Sequence, residues 1–463
     1  MAKVNNHNLF LKLRAQYPVF YYEGFDYSVD NQEIRIVYDF RISDSIFFRP
    51  KISIPVSLFI KPDRLSVQQW DLLVFHLGMI ELISYWKSVC SPVIKVNTFS
   101  LSNRAIEWWK KLYFNGLGEF FYLNSIETTR NEFVKIECES QRKVEKLDFQ
   151  LEDKVIVPIG GGKDSVVTLE LLKHNEKEIL PLIINPRGAT LNTLSRSGLG
   201  RDFYFRINRS IDSKLLELNA TGYLNGHTPF SAMLAFYTLL ASALTGYKNI
   251  ALSNESSANE STVEGEDINH QYSKSIEFER DFREYVSENI SSDFNYFSFL
   301  RPLSELQIAK LFSEFKYYFD VFRSCNAGSK EDIWCGICPK CMFANIILAP
   351  FLTQEERIAI FQKELFEDET LKNYFEELIG LTSVKPFECV GTVSEVNVAL
   401  CLTIQKYKDS GIKLPKLLAY YRTLDVYAMY STQNFKEMLC HYETPNFLNV
   451  EFETILKSKL KQI

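Results

Sequence analysis

The sequence predicts an α/β fold, a doubly wound parallel sheet set between an N-terminal α+β domain and a mainly helical C-terminal region. Three observations carry this expectation. From residue 155 onward, short apolar runs alternate with helical patterns, as βαβ units require. One of those runs passes directly through three glycines into a helix, the strand–loop–helix layout of a ligand site at a sheet's carboxyl end. Earlier in the chain the pattern differs: residues 17–60 alternate aromatic and polar positions, as antiparallel strands do. At 463 residues the chain is long for one domain, since a domain averages roughly 150. Boundaries are expected at 1–148, 149–345 and 346–463.

In order along the chain, a helix is expected over Ser66–Lys87, with Leu72, Leu73, Phe75, Met79, Ile80 and Ile83 on or near one face. His76 on that helix reads as structural. A shorter helix covers Ser102–Tyr113, and the N-terminal region ends near the polar stretch from Glu137 to Lys143. Four strands follow, at Val155–Ile159, Ile179–Ile184, Phe203–Ile207 and Asn249–Ser253, with helices at Asp164–His174 and Ser231–Thr245 between them. After Phe343 the chain reads as helical, with Gly380–Thr392 a functional loop.

Composition excludes several classes. Apolar residues make up 46% and charged residues 24%, ordinary globular values. The net charge of −6 argues against a protein that grips nucleic acid through its phosphates. Residues 1–8 lack the apolar stretch of a signal peptide, and the most apolar helix, Met233–Gly246, is too short to span a bilayer. A cytoplasmic chain without membrane or nucleic-acid partners is expected.

The strongest chemical feature is Gly160-Gly161-Gly162-Lys163-Asp164-Ser165. Glycines let the backbone turn sharply and present N–H groups, and the helix that follows adds unpaired donors and partial positive charge. Lys163 contributes a full charge and Ser165 a hydroxyl donor; Asp164 is suited to hold Mg²⁺ or to cap the helix. The spacing is neither a Walker A loop nor a dinucleotide fingerprint. It resembles the pyrophosphate loop of the PP-loop ATP pyrophosphatases, Ser-Gly-Gly-x-Asp-Ser, with Gly160 in place of the first Ser. That resemblance implies the adenine nucleotide alpha hydrolase-like fold. It also implies ATP cleaved between its α and β phosphates, with AMP passed to a substrate oxygen.

Nine cysteines are present, and four fall together: Cys325, Cys335, Cys338 and Cys341. Two overlapping Cys-x-x-Cys turns plus an outlying Cys suit a closed Cys₄ set for structural Zn²⁺, with an iron–sulfur cluster as the rival occupant. Lys340 would offset part of the thiolate charge. Together with Leu300–Lys310, this run resembles the zinc-bearing end of 7-cyano-7-deazaguanine synthases, a much shorter PP-loop family.

Four polar strings complete the pattern: Asn225–Phe230, Ser253–Glu260, Asn269–Ser275 and Lys385–Thr392. Singly, each has a structural reading; Thr228, for example, would cap the helix after it. Together they read as a polar substrate pocket, drawn from Asn225, His227, Asn254, Glu255, Asn259, Glu260, Lys385 and Glu388. His227 is equally open to a structural role. With the glycine loop and the cysteine run, the strings resemble the MurL-type UDP-N-acetylmuramoyl-L-alanyl-L-glutamate epimerases, from the helix containing Ser84 to Glu395.

The resemblance implies inversion of a terminal L-glutamate in a peptidoglycan precursor, with ATP and Mg²⁺ consumed. Gly160 to Ser165 would hold the phosphates, Lys163 and Asp164 would serve the adenylation, and Asp164 with Glu255 would place Mg²⁺. His270, Lys274 and Cys389 are candidate proton carriers, though Cys389 reads first as a small buried apolar residue. Two other functions fit the motifs: a different PP-loop adenylating enzyme, such as a deazaguanine ligase or tRNA modifier, and a nucleotide-binding regulator without turnover.

Overall fold

A computed structural model describes residues 3–461 apart from 264, 266, 267, 326, 329 and 434, with residue 436 described in its backbone only. Eleven strands are present among these residues: β1 (Val19–Val29), β2 (Glu33–Ser43), β3 (Ile46–Phe48), β4 (Lys51–Pro55), β5 (Val93–Val96), β6 (Lys135–Cys138), β7 (Glu152–Pro158), β8 (Ile179–Ile184), β9 (Phe205–Ser210), β10 (Tyr247–Leu252) and β11 (Asn295–Ser298). The chain forms two units. The first comprises Met1–Ile156, Phe205–Ile250 and Tyr272–Tyr296, and the second Val157–Tyr204, Ala251–Gln271 and Phe297–Ile463.

In the first unit the strands run in the order β9-β4-β2-β1-β5-β6, with β3 beside β2. β2 pairs antiparallel with β1, β3 and β4, whereas β5 is parallel to both β1 and β6. The aromatic alternation has its expected cause: Phe20, Tyr22, Ile34, Ile36, Tyr38 and Phe40 are all buried. The helix Val67–Trp86 is buried along most of its length. Ser66 lies outside it as the N-cap, in a reciprocal capping box with Gln69. Gly78 admits the sheet here, since a Cβ would stand 2.0 Å from the Tyr22 hydroxyl. His76 is structural: Nδ1 meets the Leu72 carbonyl at 2.7 Å and Nε2 the Tyr285 hydroxyl at 3.1 Å.

The remaining strands run β11-β10-β7-β8. β10 is parallel to β7, with Asn249 opposite Val155 and Ile250 opposite Ile156. β8 has the expected bounds, and β11 was not foreseen. A wholly parallel sheet is not what forms. β9 lies two residues further along than expected and pairs antiparallel with β4, Lys51 opposite Ser210. Its alternation of buried Phe205 and Ile207 with exposed neighbours is the pattern of a strand with one covered face. The architecture is therefore mixed α/β. Beyond β11 the second unit is helical, including Glu305–Phe312, Pro339–Leu348 and Val393–Asp409. No helix among the described residues is long and apolar enough to cross a membrane.

Candidate functional site

The glycine loop joins β7 to the helix Lys163–His174, whose N-cap is Gly162 with no side-chain cap. Asp164 thus does not cap the helix. Gly161 adopts φ +83°, and a Cβ there would lie 2.9 Å from the Ala189 Cβ; only glycine meets both demands. Behind the turn, the Arg323 N–H donates to the Gly161 carbonyl at 2.8 Å, and the Ser165 hydroxyl donates to the Gly162 carbonyl at 2.9 Å. The space beside Gly160 is open.

Lys163 is buried and ion-paired with Asp164 and Glu305. Burial works against its ammonium, but the two carboxylates outweigh it and raise the pKa. Glu305 opens the helix Glu305–Phe312, and its N–H donates to Glu395 Oε1 at 2.6 Å. Glu395 Oε2 accepts from the Thr392 N–H at 2.7 Å. Burial raises the pKa of both acids, with Asp164 and Glu255 adding to the effect on Glu305 and Glu255 to that on Glu395. Arg301 donates to the buried Glu255 carbonyl, and Asn254 donates to Ser298 at 3.0 Å. A cavity of about 330 Å³ opens beside these carboxylates, lined by Ser304, Gln307, Thr392 and Glu395 among others.

The four clustered cysteines converge. Cys325 and Cys338 sulfurs are 3.7 Å apart, Cys335 and Cys341 3.7 Å, and Cys338 and Cys341 3.5 Å. All four sulfurs lie within 4.8 Å of one another. A tetrahedron with metal–sulfur bonds of about 2.3 Å has edges near 3.8 Å, so the set fits one ion of zinc's size. A cluster of several irons is wider and would hold its ligands further apart. The hydrogen bond with Cys341 leads the influences that bring Cys338 down to about 5. Cys338 is also the N-cap of the helix Pro339–Leu348, where a thiolate is favoured.

The segment from Lys385 to Thr392 belongs to the same unit. Lys385 pairs with Glu260, and its N–H donates to the Thr262 carbonyl at 3.0 Å. The His270 N–H donates to the Thr262 hydroxyl at 3.0 Å. Burial raises the pKa of Glu388, and Lys340, Cys389 and His270 are among the charges acting on it. Asn259 ends a short turn, Ser256–Asn259. Cys389 is half-buried.

The second unit therefore contains Gly160 to Ser165, Asn254, Glu255, Asn259, Glu260, His270, Lys385, Glu388, Cys389 and the four clustered cysteines. Asn225, His227 and Lys274 belong to the first unit. There, His227 Nδ1 lies 3.1 Å from the buried Glu119. Thr228 does not cap the helix Phe230–Thr245, whose N-cap is Pro229. The Lys87 ammonium instead takes up the Thr228 hydroxyl at 2.5 Å. Sequence reasoning missed Glu305 and Glu395, and read Lys340 only as a counter-charge for the thiolates. The available signal was an acid at the first or third position of a capped helix, which ordinarily reads as a partner for the helix dipole.

Comparison with known proteins identifies the family. Residues 12–299 match the MurL N-terminal domain and residues 321–419 the MurL C-terminal domain. Three relatives are each named UDP-N-acetyl-alpha-D-muramoyl-L-alanyl-L-glutamate epimerase. The protein from Xanthomonas oryzae pv. oryzae is 33% identical over 75% of this chain and 77% of its own length. That from a Micromonospora species is 33% identical over 76% and 79%, and that from Salinispora tropica 36% over 70% and 72%. Matches of that extent in both halves place the chain in the MurL family, and it is an epimerase, hence an isomerase.

Proposed function

We propose that this enzyme inverts the terminal L-glutamate of UDP-MurNAc-L-Ala-L-Glu to D-glutamate, spending ATP to AMP and pyrophosphate, in cytoplasmic peptidoglycan precursor synthesis. The relatives' names supply the substrate. The observation that carries the ATP requirement is the uncapped helix after three glycines, with Lys163 buried beside Asp164 and Glu305.

The chemistry explains why ATP is needed. The Cα–H beside an ionised carboxylate is barely acidic, because the carbanion places a second negative charge next to the first. Joining the carboxylate to AMP removes that charge and leaves a carbonyl able to hold an enolate. The glycine turn holds the departing pyrophosphate through its amides and the helix terminus. Asp164 and Glu255 would hold Mg²⁺, which would supply positive charge for the phosphates. One side chain then removes the Cα proton and a second returns one to the opposite face, after which water cleaves the mixed anhydride to AMP and the free D-glutamyl peptide. His270 and Cys389 share the loop's unit and are the carriers favoured here, with Lys274 in the other unit the remaining candidate. Asn254, Asn259, Glu260, Lys385 and Glu388 are the polar groups offered to the peptide. The Cys₄ set would hold structural Zn²⁺ as a closed site.

The test is incubation with the L-Glu precursor, ATP and Mg²⁺ in deuterated water. D-glutamate bearing deuterium at Cα, with AMP and pyrophosphate formed alongside, is expected. Pyrophosphate release triggered by a deazaguanine carboxylate or a tRNA instead would make the chain a different adenylating enzyme. ATP binding without AMP under any substrate would make it a regulator.

A further inference from the structure

Lys340 is the second residue of the helix Pro339–Leu348, between Cys338 and Cys341. Only 9% of it is exposed. An ammonium taken out of water is costly unless something answers its charge, yet no hydrogen bond or ion pair to Lys340 exists among the described residues. Its nearest described ring is Phe343, with the ammonium 5.1 Å from the ring centre.

The other buried cations of this unit are committed. Lys163 is held by Asp164 and Glu305, Arg301 donates to the Glu255 carbonyl, and Arg357 is bound by Asn345, Glu364 and Tyr407.

Phe343, the ring beside Lys340, packs in turn against Glu305 and Glu395. The Phe343 ring edge, Glu305 Cγ and Glu395 Oε2 converge on Gly391, at 3.2, 3.2 and 3.0 Å from where a Cβ would be. The Lys340 charge is felt by Glu305 and by Glu388.

We propose that Lys340 binds an anion, the phosphate oxygens of ATP and of the pyrophosphate it leaves behind. This deepens the adenylating reading above and rests on it. Lys163, the cation within the glycine turn, already has two carboxylates to satisfy, so the turn brings amides and a helix terminus but little uncommitted positive charge. Lys340 supplies that charge as a compact donor suited to phosphate. The helix carrying it is pinned by Cys338 and Cys341, which links the cysteine cluster to nucleotide binding through one side chain.

The experiment titrates the unaltered protein, K340M and K340R with inorganic pyrophosphate and with ATP by calorimetry, and counts bound metal by mass spectrometry. K340M should bind pyrophosphate about tenfold or more weakly, and K340R within about threefold of the original, as expected for a charge-assisted contact. Metal content should be the same in all three. Unchanged pyrophosphate affinity in K340M overturns the proposal. So does metal lost together with affinity, which would make Lys340 a counter-charge for thiolates. Weaker binding of the glutamyl sugar nucleotide alone would move Lys340 to the substrate's carboxylate and overturn the phosphate assignment. If the unaltered protein binds neither pyrophosphate nor ATP, the adenylating reading itself falls and takes this one with it.

Discussion

Lys163 and Glu305 are 142 positions apart in sequence yet share one buried contact. Removing one partner of such a pair strands the other's charge, whereas removing both does not. Lys163→Met should therefore destabilise the protein by about 3–5 kcal/mol, and the double variant Lys163→Met/Glu305→Met should recover most of that loss. Urea melts of the two singles and the double measure the coupling; simple additivity would show the pair to be independent. His76 makes a second residue-scale case. Burial brings its pKa down from 6.5 to about 4, partly opposed by its bond to the Leu72 carbonyl. The folded state then binds the proton less readily than the unfolded state does. The stability this contributes is full above pH 6.5 and drains away as the pH falls toward 4, by roughly 3 kcal/mol in all. Urea midpoints at pH 7 and pH 5 should differ in that direction, and His76→Gln should flatten the difference.

Among elements, the turn between β7 and the helix Lys163–His174 divides its glycines by function. Gly161 needs its left-handed backbone and its contact with Ala189, while Gly160 faces open space. Gly161→Ala should lose at least about 1–2 kcal/mol from the backbone alone, with steric displacement added. Gly160→Ala should stay within about 0.5 kcal/mol, as exposed substitutions do. Thermal denaturation of the two variants decides this, and equal losses would contradict the geometry. Gly78 is the counterpart in the first unit: its missing side chain leaves room for Tyr22 and Tyr38 rather than for a ligand.

For the whole molecule, the cysteine cluster is the feature through which a bound metal would couple to stability. It draws Cys325 and Cys335–Cys341 together within the second unit. Metal bound by four thiolates contributes its binding energy to folding. The purified protein should contain one zinc per chain, and a strong chelator should lower the melting temperature of the second unit. Visible absorption from iron, or a melt indifferent to chelation, would overturn the zinc assignment. Membership of the MurL family, matched over residues 12–299 and 321–419, also makes glutamate inversion the activity to assay first.

Much of the fold was legible in sequence because the signals are local. A run such as Ile179–Ile184 is strand-like by its own apolarity, and Ser66 and Ser102 stop their helices by bonding to amides three residues on. The glycine turn and the spacing of the cysteine run are local as well. Other features are set between segments remote in sequence. The pairing of β9 with β4 depends on which edge is left to cover, and the burial of Lys163 against Glu305 depends on how separate helices pack. The residues alone thus determined the family and the elements that carry the chemistry. Tertiary structure decided which charges are paired, because burial and Coulomb attraction act through space and leave no periodic trace in the chain.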